Sequence, residues 1–94
     1  MSAISDDGIY ALRSEVATEA VDDELIVLDL VRNRYAGLNS VGATVFSLLD
    51  GVRPLSQIIE TIAEAYDVAL DQAREDIFAF VDEALRAELI QQIS

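Results

Sequence analysis

The side chains of this 94-residue chain that could do chemistry are almost all carboxylates: 18 Asp and Glu stand against six Arg, with no His, Lys or Cys. The usual routes to nucleophilic and general-base catalysis, which rest on imidazole, thiolate or amine, are therefore closed. Carboxylate pairs remain as a possible acid and base. Asp22-Asp23-Glu24, Glu75-Asp76 and Asp82-Glu83 are adjacent in sequence, and neighbours on a strand or a helix point apart, so none reads as a working pair. No loop alternates oxygen ligands as a calcium or magnesium site requires, so no metal is expected. Gly8, Gly37, Gly42 and Gly51 are scattered, which excludes a glycine-rich phosphate loop. The chain reads as a non-enzyme without a cofactor.

Ser40 is the remaining reactive candidate. Small acidic helical domains with a serine at a helix start include acyl and peptidyl carrier proteins, where the serine bears a phosphopantetheine arm. That resemblance is an alternative reading, but the carrier signature flanks its serine with Asp and Leu, and here the neighbours are Asn39 and Val41. Ser40 or Asn39 also serves as a helix N-cap, because either side chain can accept from a free first-turn amide.

A net charge of −12 with no lysine argues against nucleic acid and anionic membrane, which need clustered cations to displace counterions. A partner bearing positive charge fits better. The hydrophobic share of 52% is high for a domain that can build one small core, so apolar surface is expected to be left for a partner. Without cysteine there is no disulfide framework. The acidic start MSAISDDGIY lacks the basic, then apolar, pattern of a signal peptide, and no apolar run approaches the roughly 18 residues of a membrane span. A cytoplasmic location is expected.

These bounds suit one domain from residue 9 to 94 behind a flexible tail, residues 1–8. Glu24 to Leu30 alternates Leu25 and Val27 against Ile26, Leu28 and Leu30, which predicts a strand. Arg32 and Asn33 make a turn, since Asn tolerates the left-handed backbone a hairpin needs. A short, sparsely packed strand, Arg34 to Leu38, follows. Val16, Thr18 and Ala20 permit a further strand before it, giving a three-stranded antiparallel N-terminal sheet. A first helix from Ser40 or Val41 should stop at Asp50-Gly51. A second follows Pro54 with Leu55, Ile58, Ile59, Ile62 and Tyr66 as its stripe. A third, from about Asp71 to Leu89, has an apolar arc wider than packing on one side needs. One flank of that arc carries Phe80 and Ala87 beside Asp76 and Glu83; the other carries Phe78, Leu85 and Leu89. One flank should line a groove.

The run Val27-Leu28-Asp29-Leu30, Arg34-Tyr35-Ala36-Gly37-Leu38-Asn39, Gly42-Ala43-Val45-Phe46 and Leu48-Leu49-Asp50-Gly51 resembles the PqqD-like domains, the precursor-peptide recognition elements of ribosomal peptide pathways. The likeness continues through Ile58, Ile59, Ile62-Ala63, Tyr66-Asp67-Val68 and Asp76-Ile77-Phe80-Val81 to Leu89-Ile90. In length the chain is most similar to the standalone recognition proteins of lasso peptide clusters. Asn33 stands where the family commonly has glycine in the turn, and Glu88 where it often has glycine before Leu-Ile, which suggests a last helix one turn longer.

The resemblance implies an α+β, winged-helix-like domain that binds the leader of a precursor peptide as an added strand. Main-chain bonds then supply affinity and alternate side chains enter pockets. On the strand side the expected contacts are Arg34, Tyr35, Ala36 and Gly37; on the helix side they are Ala73, Asp76, Ile77 and Phe80. Phe80 would receive an aromatic or proline anchor, and Asp76 would accept a hydrogen bond or pair with a leader cation. The implied partners are the leader itself, a leader-cleaving protease and a cyclase.

Overall fold

The computed structural model describes residues 4–22 and 24–94. Two antiparallel three-stranded sheets and three helices form it. β1 (Ile9–Leu12), β2 (Val16–Val21), β3 (Glu24–Asp29) and β4 (Arg34–Leu38) come first. α1 (Ser40–Leu48), β5 (Asp50–Pro54), α2 (Leu55–Ala65), α3 (Leu70–Arg86) and β6 (Ile90–Gln92) follow.

The sheet expected from the sequence is β2-β3-β4, with Ala17 opposite Leu28 and Leu28 opposite Tyr35. Alternation along β3 buries Val27 and Asp29 on one side and turns Ile26 and Leu28 to the other. β3 stops at Asp29, one residue short of expectation. The Asp29 carboxylate accepts the amides of Val31 and Arg32 at 3.1 and 3.0 Å, which folds the chain into the turn. Asn33 closes that turn at φ 54°, in the left-handed region foreseen for it.

The second sheet, β5-β1-β6, was not anticipated. Its strands are three to five residues long, too short for alternation to register in sequence, and their pairing joins residues such as Leu12 and Ile90 from opposite ends of the chain. The segment expected as a tail falls partly on Met1 to Ala3, which lie outside the described residues. Beyond them, the carbonyls of Asp6 and Gly8 accept the amides of Ser56 and Leu55 at 2.9 and 3.0 Å. That satisfies the start of α2, which Pro54 leaves without a side-chain cap. Asp6 also pairs with Arg74 at 2.9 Å.

Asn39, not Ser40, caps α1, accepting the Gly42 amide at 2.9 Å. α1 ends at Leu48, before the expected stop at Asp50-Gly51, because Asp50 turns back on the amides of Val52 and Arg53 to begin β5. Gly51, at φ 78°, then lies close against Ala11 of β1.

α2 and α3 end in the same way. Val68 donates to Ala63, with Asp67 at φ 52°; Leu89 donates to Ala84 and Glu88 to Leu85, with Glu88 at φ 59°. These are Schellman closures carried by residues other than glycine. The expected extension of α3 to Leu89 is therefore corrected: Glu88 takes the left-handed conformation itself and ends the helix at Arg86. Asp67→Gly should remove strain at such a site. The expected gain is about 0.5–1 kcal/mol, raising the melting temperature by roughly 2–8 °C in calorimetry.

The core lies between the sheets and the helices. Val45 and Phe46 of α1, Leu55, Ile58, Ile59 and Ile62 of α2, and Ala73, Ile77, Val81 and Ala84 of α3 meet Tyr10 of β1 and Val27 of β3 there.

Candidate functional site

β4 is an edge strand. It pairs with β3 on one side only, so the backbone groups along its other side are available to a guest. Its residues Arg34 to Gly37 are all exposed, and a space is left between the strand and α3.

That space is a groove. At one end a cavity of about 130 Å³ is lined by Val27, Asp29 and Arg34 to Ala36, with Ala87 and Leu89 opposite. A larger one, about 290 Å³, continues from it between Ala36 to Leu38 and the α3 side chains Phe80, Glu83, Ala84 and Ala87, over Phe46. The third, about 310 Å³, runs on between Asn39, Val41, Gly42 and Val45 on one side and Ala73, Asp76, Ile77 and Phe80 on the other, with Tyr66 and Val68 at the end. The first two share Val27, Ala36, Ala87 and Leu89, and the last two share Phe80. The Phe80 ring thus stands at the junction, edge-on to Phe46 at 6.3 Å between centroids.

All eight residues singled out from the sequence lie along this groove. Their accessibility differs. Ala73 and Ile77 are buried, 2% exposed each, and offer only a floor; Asp76 is exposed, holding the Gln72 amide at 2.9 Å; Phe80 is half-buried. Tyr35 is 79% exposed.

The flank of α3 with Phe80, Ala87, Asp76 and Glu83 is the one that faces the groove. The other flank is occupied locally, with Phe78 under the Arg74 guanidinium at 4.5 Å. Leu38, Phe46, Ala84 and Leu89 were missed as lining residues, whereas Glu83 and Ala87 had been placed on this flank without being singled out as contacts. Leu89 was placed on the opposite flank by helical projection, and the turn at Glu88 swings it into the groove.

One end of the groove is closed by ionic bonds. Asp29 is 2% exposed and accepts Arg34 Nη2 at 3.1 Å and Arg32 Nη1 at 3.3 Å in addition to the two turn amides. Arg34 Nη2 also donates to the carbonyl of Ala87 at 2.9 Å, tying β4 to the end of α3. Arg32 reaches Glu88 and Glu15 as well. The amide of Arg32 above all, then the side chains of Arg34 and Arg32 and the amide of Val31, hold the Asp29 carboxyl down at about 2 against the cost of its burial. Arg34, expected only as backbone edge, therefore also sets the separation of strand and helix.

Each of the six arginines has a carboxylate partner: Arg13 Glu15, Arg32 and Arg34 Asp29, Arg53 Asp50, Arg74 Asp6 and Arg86 Asp82. Asp76 and Glu83 on the helix wall thus give the groove an acidic rim beside its apolar floor. Among the described residues no group of three or more acidic side chains is placed to hold a metal ion. Among the described residues no helix is long and apolar enough to cross a membrane. Ser40 is simply the first residue of α1, in a fold with two sheets where a carrier would have a four-helix bundle.

The family model for coenzyme PQQ synthesis protein D matches residues 24–90. No curated protein matches the chain. Two solved structures are similar over most of it. One, described as TbiB1 in complex with the TbiA(beta) leader peptide, is 27% identical with a TM-score of 0.80, over 86% of this chain and 94% of that one. The other, a lasso peptide synthetase B1 complexed with the leader peptide, shares the fold at 22% identity and a TM-score of 0.80, over 87% of this chain and 96% of that one.

Proposed function

Because the chain belongs to the PqqD family, we propose that it recognises the leader segment of a ribosomally made precursor peptide in lasso peptide biosynthesis. The leader lies as an added strand on β4, in the groove against α3. The observation that carries this reading is the pairing of an open strand edge with a continuous apolar groove beside it. The similar TbiB1 structure, complexed with a leader peptide, supports it.

Strand addition assigns the roles. The backbone of Arg34 to Gly37 supplies the main-chain bonds, and alternate guest side chains enter the groove. A large apolar or proline side chain of the leader packs on Phe80 over Phe46. A leader cation pairs with Asp76 or Glu83, the groove having no unpaired cation of its own to oppose it. The protein holds its guest without transforming it, and passes it in the cytoplasm to a leader-cleaving protease and a cyclase.

Titration with a synthetic leader from the same gene cluster, followed by amide chemical shifts, tests the docking. Binding at micromolar affinity or tighter, about −8 kcal/mol, with shifts concentrated in β4 and α3, is the expected result. Unmoved β4 amides at saturating leader would rule the model out. Incubation with coenzyme A and a phosphopantetheinyl transferase should leave the mass unchanged.

A further inference from the structure

We infer that a guest strand on β4 is read on both of its faces: a notch over Gly37, on the side of the sheet away from the groove, takes a lysine or arginine side chain of the leader and pairs it with Glu24. The inference rests on the function proposed above and adds a second subsite to it.

Side chains alternate along a strand, so Ala36 and Leu38 turn to the groove beside Val27, while Tyr35 and the place of a side chain on Gly37 belong to the other face. The register sets Gly37 opposite Ile26 of β3. A Cβ on Gly37 would meet Glu24 Oε2 at 3.6 Å and Ile26 Cδ1 at 3.8 Å, both ordinary contacts, and Gly37 is not among the residues with positive φ. The fold therefore does not require glycine here, and a strand would gain from a larger residue. What the glycine leaves is a gap at the sheet edge. Ile26 and Glu24 border it on the β3 side, and Tyr35, 79% exposed, stands two residues along β4 on the same face.

Reach and charge identify the occupant. A guest residue level with Gly37 points to this same face, with its Cβ about 4.5–5.5 Å from the position of its neighbour's. Glu24 Oε2 then lies no more than about 9 Å from the guest Cβ. An extended lysine or arginine covers that span with one hydrogen bond, and a short polar side chain does not. Its methylenes lie over Gly37 and against Ile26, as long cationic side chains do on apolar surface, and Tyr35 offers a ring beside the cation. None of the six arginines of the chain pairs with Glu24. Its exposed carboxylate is thus open to a guest. An acidic guest side chain in the notch would meet a like charge, and a neutral one would leave the carboxylate unanswered.

The test is a double-mutant cycle between protein and peptide, read by isothermal titration. The peptides are the synthetic leader of the same gene cluster and copies in which each lysine or arginine in turn is replaced by norleucine. The proteins are the wild-type chain, Glu24→Gln and Gly37→Val. At about 0.05 M salt Glu24→Gln should weaken the unaltered leader about three- to fivefold, a loss that shrinks below about twofold at 0.5 M. One norleucine peptide should lose the same factor on the wild-type chain and lose nothing further on Glu24→Gln. Gly37→Val should weaken the leader about tenfold or more, because it fills the notch. It should nonetheless melt at or above the wild-type temperature, since a β-branched residue suits the strand. Should Gly37→Val unfold the domain, Gly37→Ala, whose Cβ the contacts above accommodate, takes its place with a loss of about threefold. Equal leader affinity of Glu24→Gln and the wild-type chain, a cycle in which no norleucine peptide couples to Glu24, or a folded Gly37 variant that binds leader as tightly as the wild-type chain, each overturns the inference. A wild-type chain that binds no leader would instead overturn the function proposed above.

Discussion

Phe80→Ala is expected to weaken leader binding by about 10- to 100-fold, roughly 1.4–2.8 kcal/mol, while the domain stays folded. The magnitude follows from position. Phe80 is the side chain common to the two larger cavities of the groove and is half-buried, with its edge-to-face partner Phe46 beneath it. Truncation merges the two cavities and removes the surface on which a guest anchor packs, while Phe46, at 2% exposed, stays held by the rest of the core. The stability cost should be modest beside a full core truncation, about 1–2 kcal/mol, because part of the ring is already in water. Isothermal titration against the leader, alongside a thermal melt, separates the two effects. Phe80→Leu should recover most of the affinity. Equal affinities of the wild-type and Phe80→Ala proteins would remove this ring from the site.

Asp29→Asn is expected to destabilise the domain and weaken the groove together, lowering the melting temperature by on the order of 5–10 °C. Asparagine keeps one oxygen for the amides of Val31 and Arg32. It then turns an amide donor towards the guanidinium groups of Arg34 and Arg32, which in the wild-type chain donate to the second carboxylate oxygen at 3.1 and 3.3 Å. Donor facing donor releases Arg34, and with it the bond to the Ala87 carbonyl that ties β4 to α3. Leader affinity should fall although no leader-facing atom has been removed. The same carboxylate makes the wild-type protein acid-sensitive. Its folded value, about 2, lies below the ordinary 3.8, so the native state binds fewer protons than the unfolded chain between the two. The stabilisation is present in full above about pH 4 and is lost as pH falls through about 2. Acid denaturation of the wild-type chain should therefore steepen below pH 4, and the Asp29→Asn protein should lack that component. An identical acid transition in both would assign it to other carboxylates.

Much of the fold is legible in the sequence. Alternation in Leu25 to Leu28 marks β3, Asn33 marks the turn, and Pro54 with Leu55, Ile58, Ile59 and Ile62 marks α2, because these signals are local and repeat with the period of the element. The sequence by itself determined that the chain carries no histidine, cysteine or lysine, that its net charge is strongly acidic, and that α3 carries more apolar side chains than one packing face uses. Which flank of α3 stays open, and which residues line it, only the tertiary structure decided. Leu89 shows why: its place depends on Glu88 leaving the helix for the left-handed region, a choice supported by bonds from Glu88 and Leu89 to α3 and by an ion pair with Arg32 from a distant hairpin. The β5-β1-β6 sheet shows the same. Its strands are too short to carry a period and exist through pairing of the chain's first strand with its middle and its end. Local preference along a chain specifies elements; the open edge of β4 is defined by what packs beside it and what does not, and that is settled only when residues far apart in sequence come together.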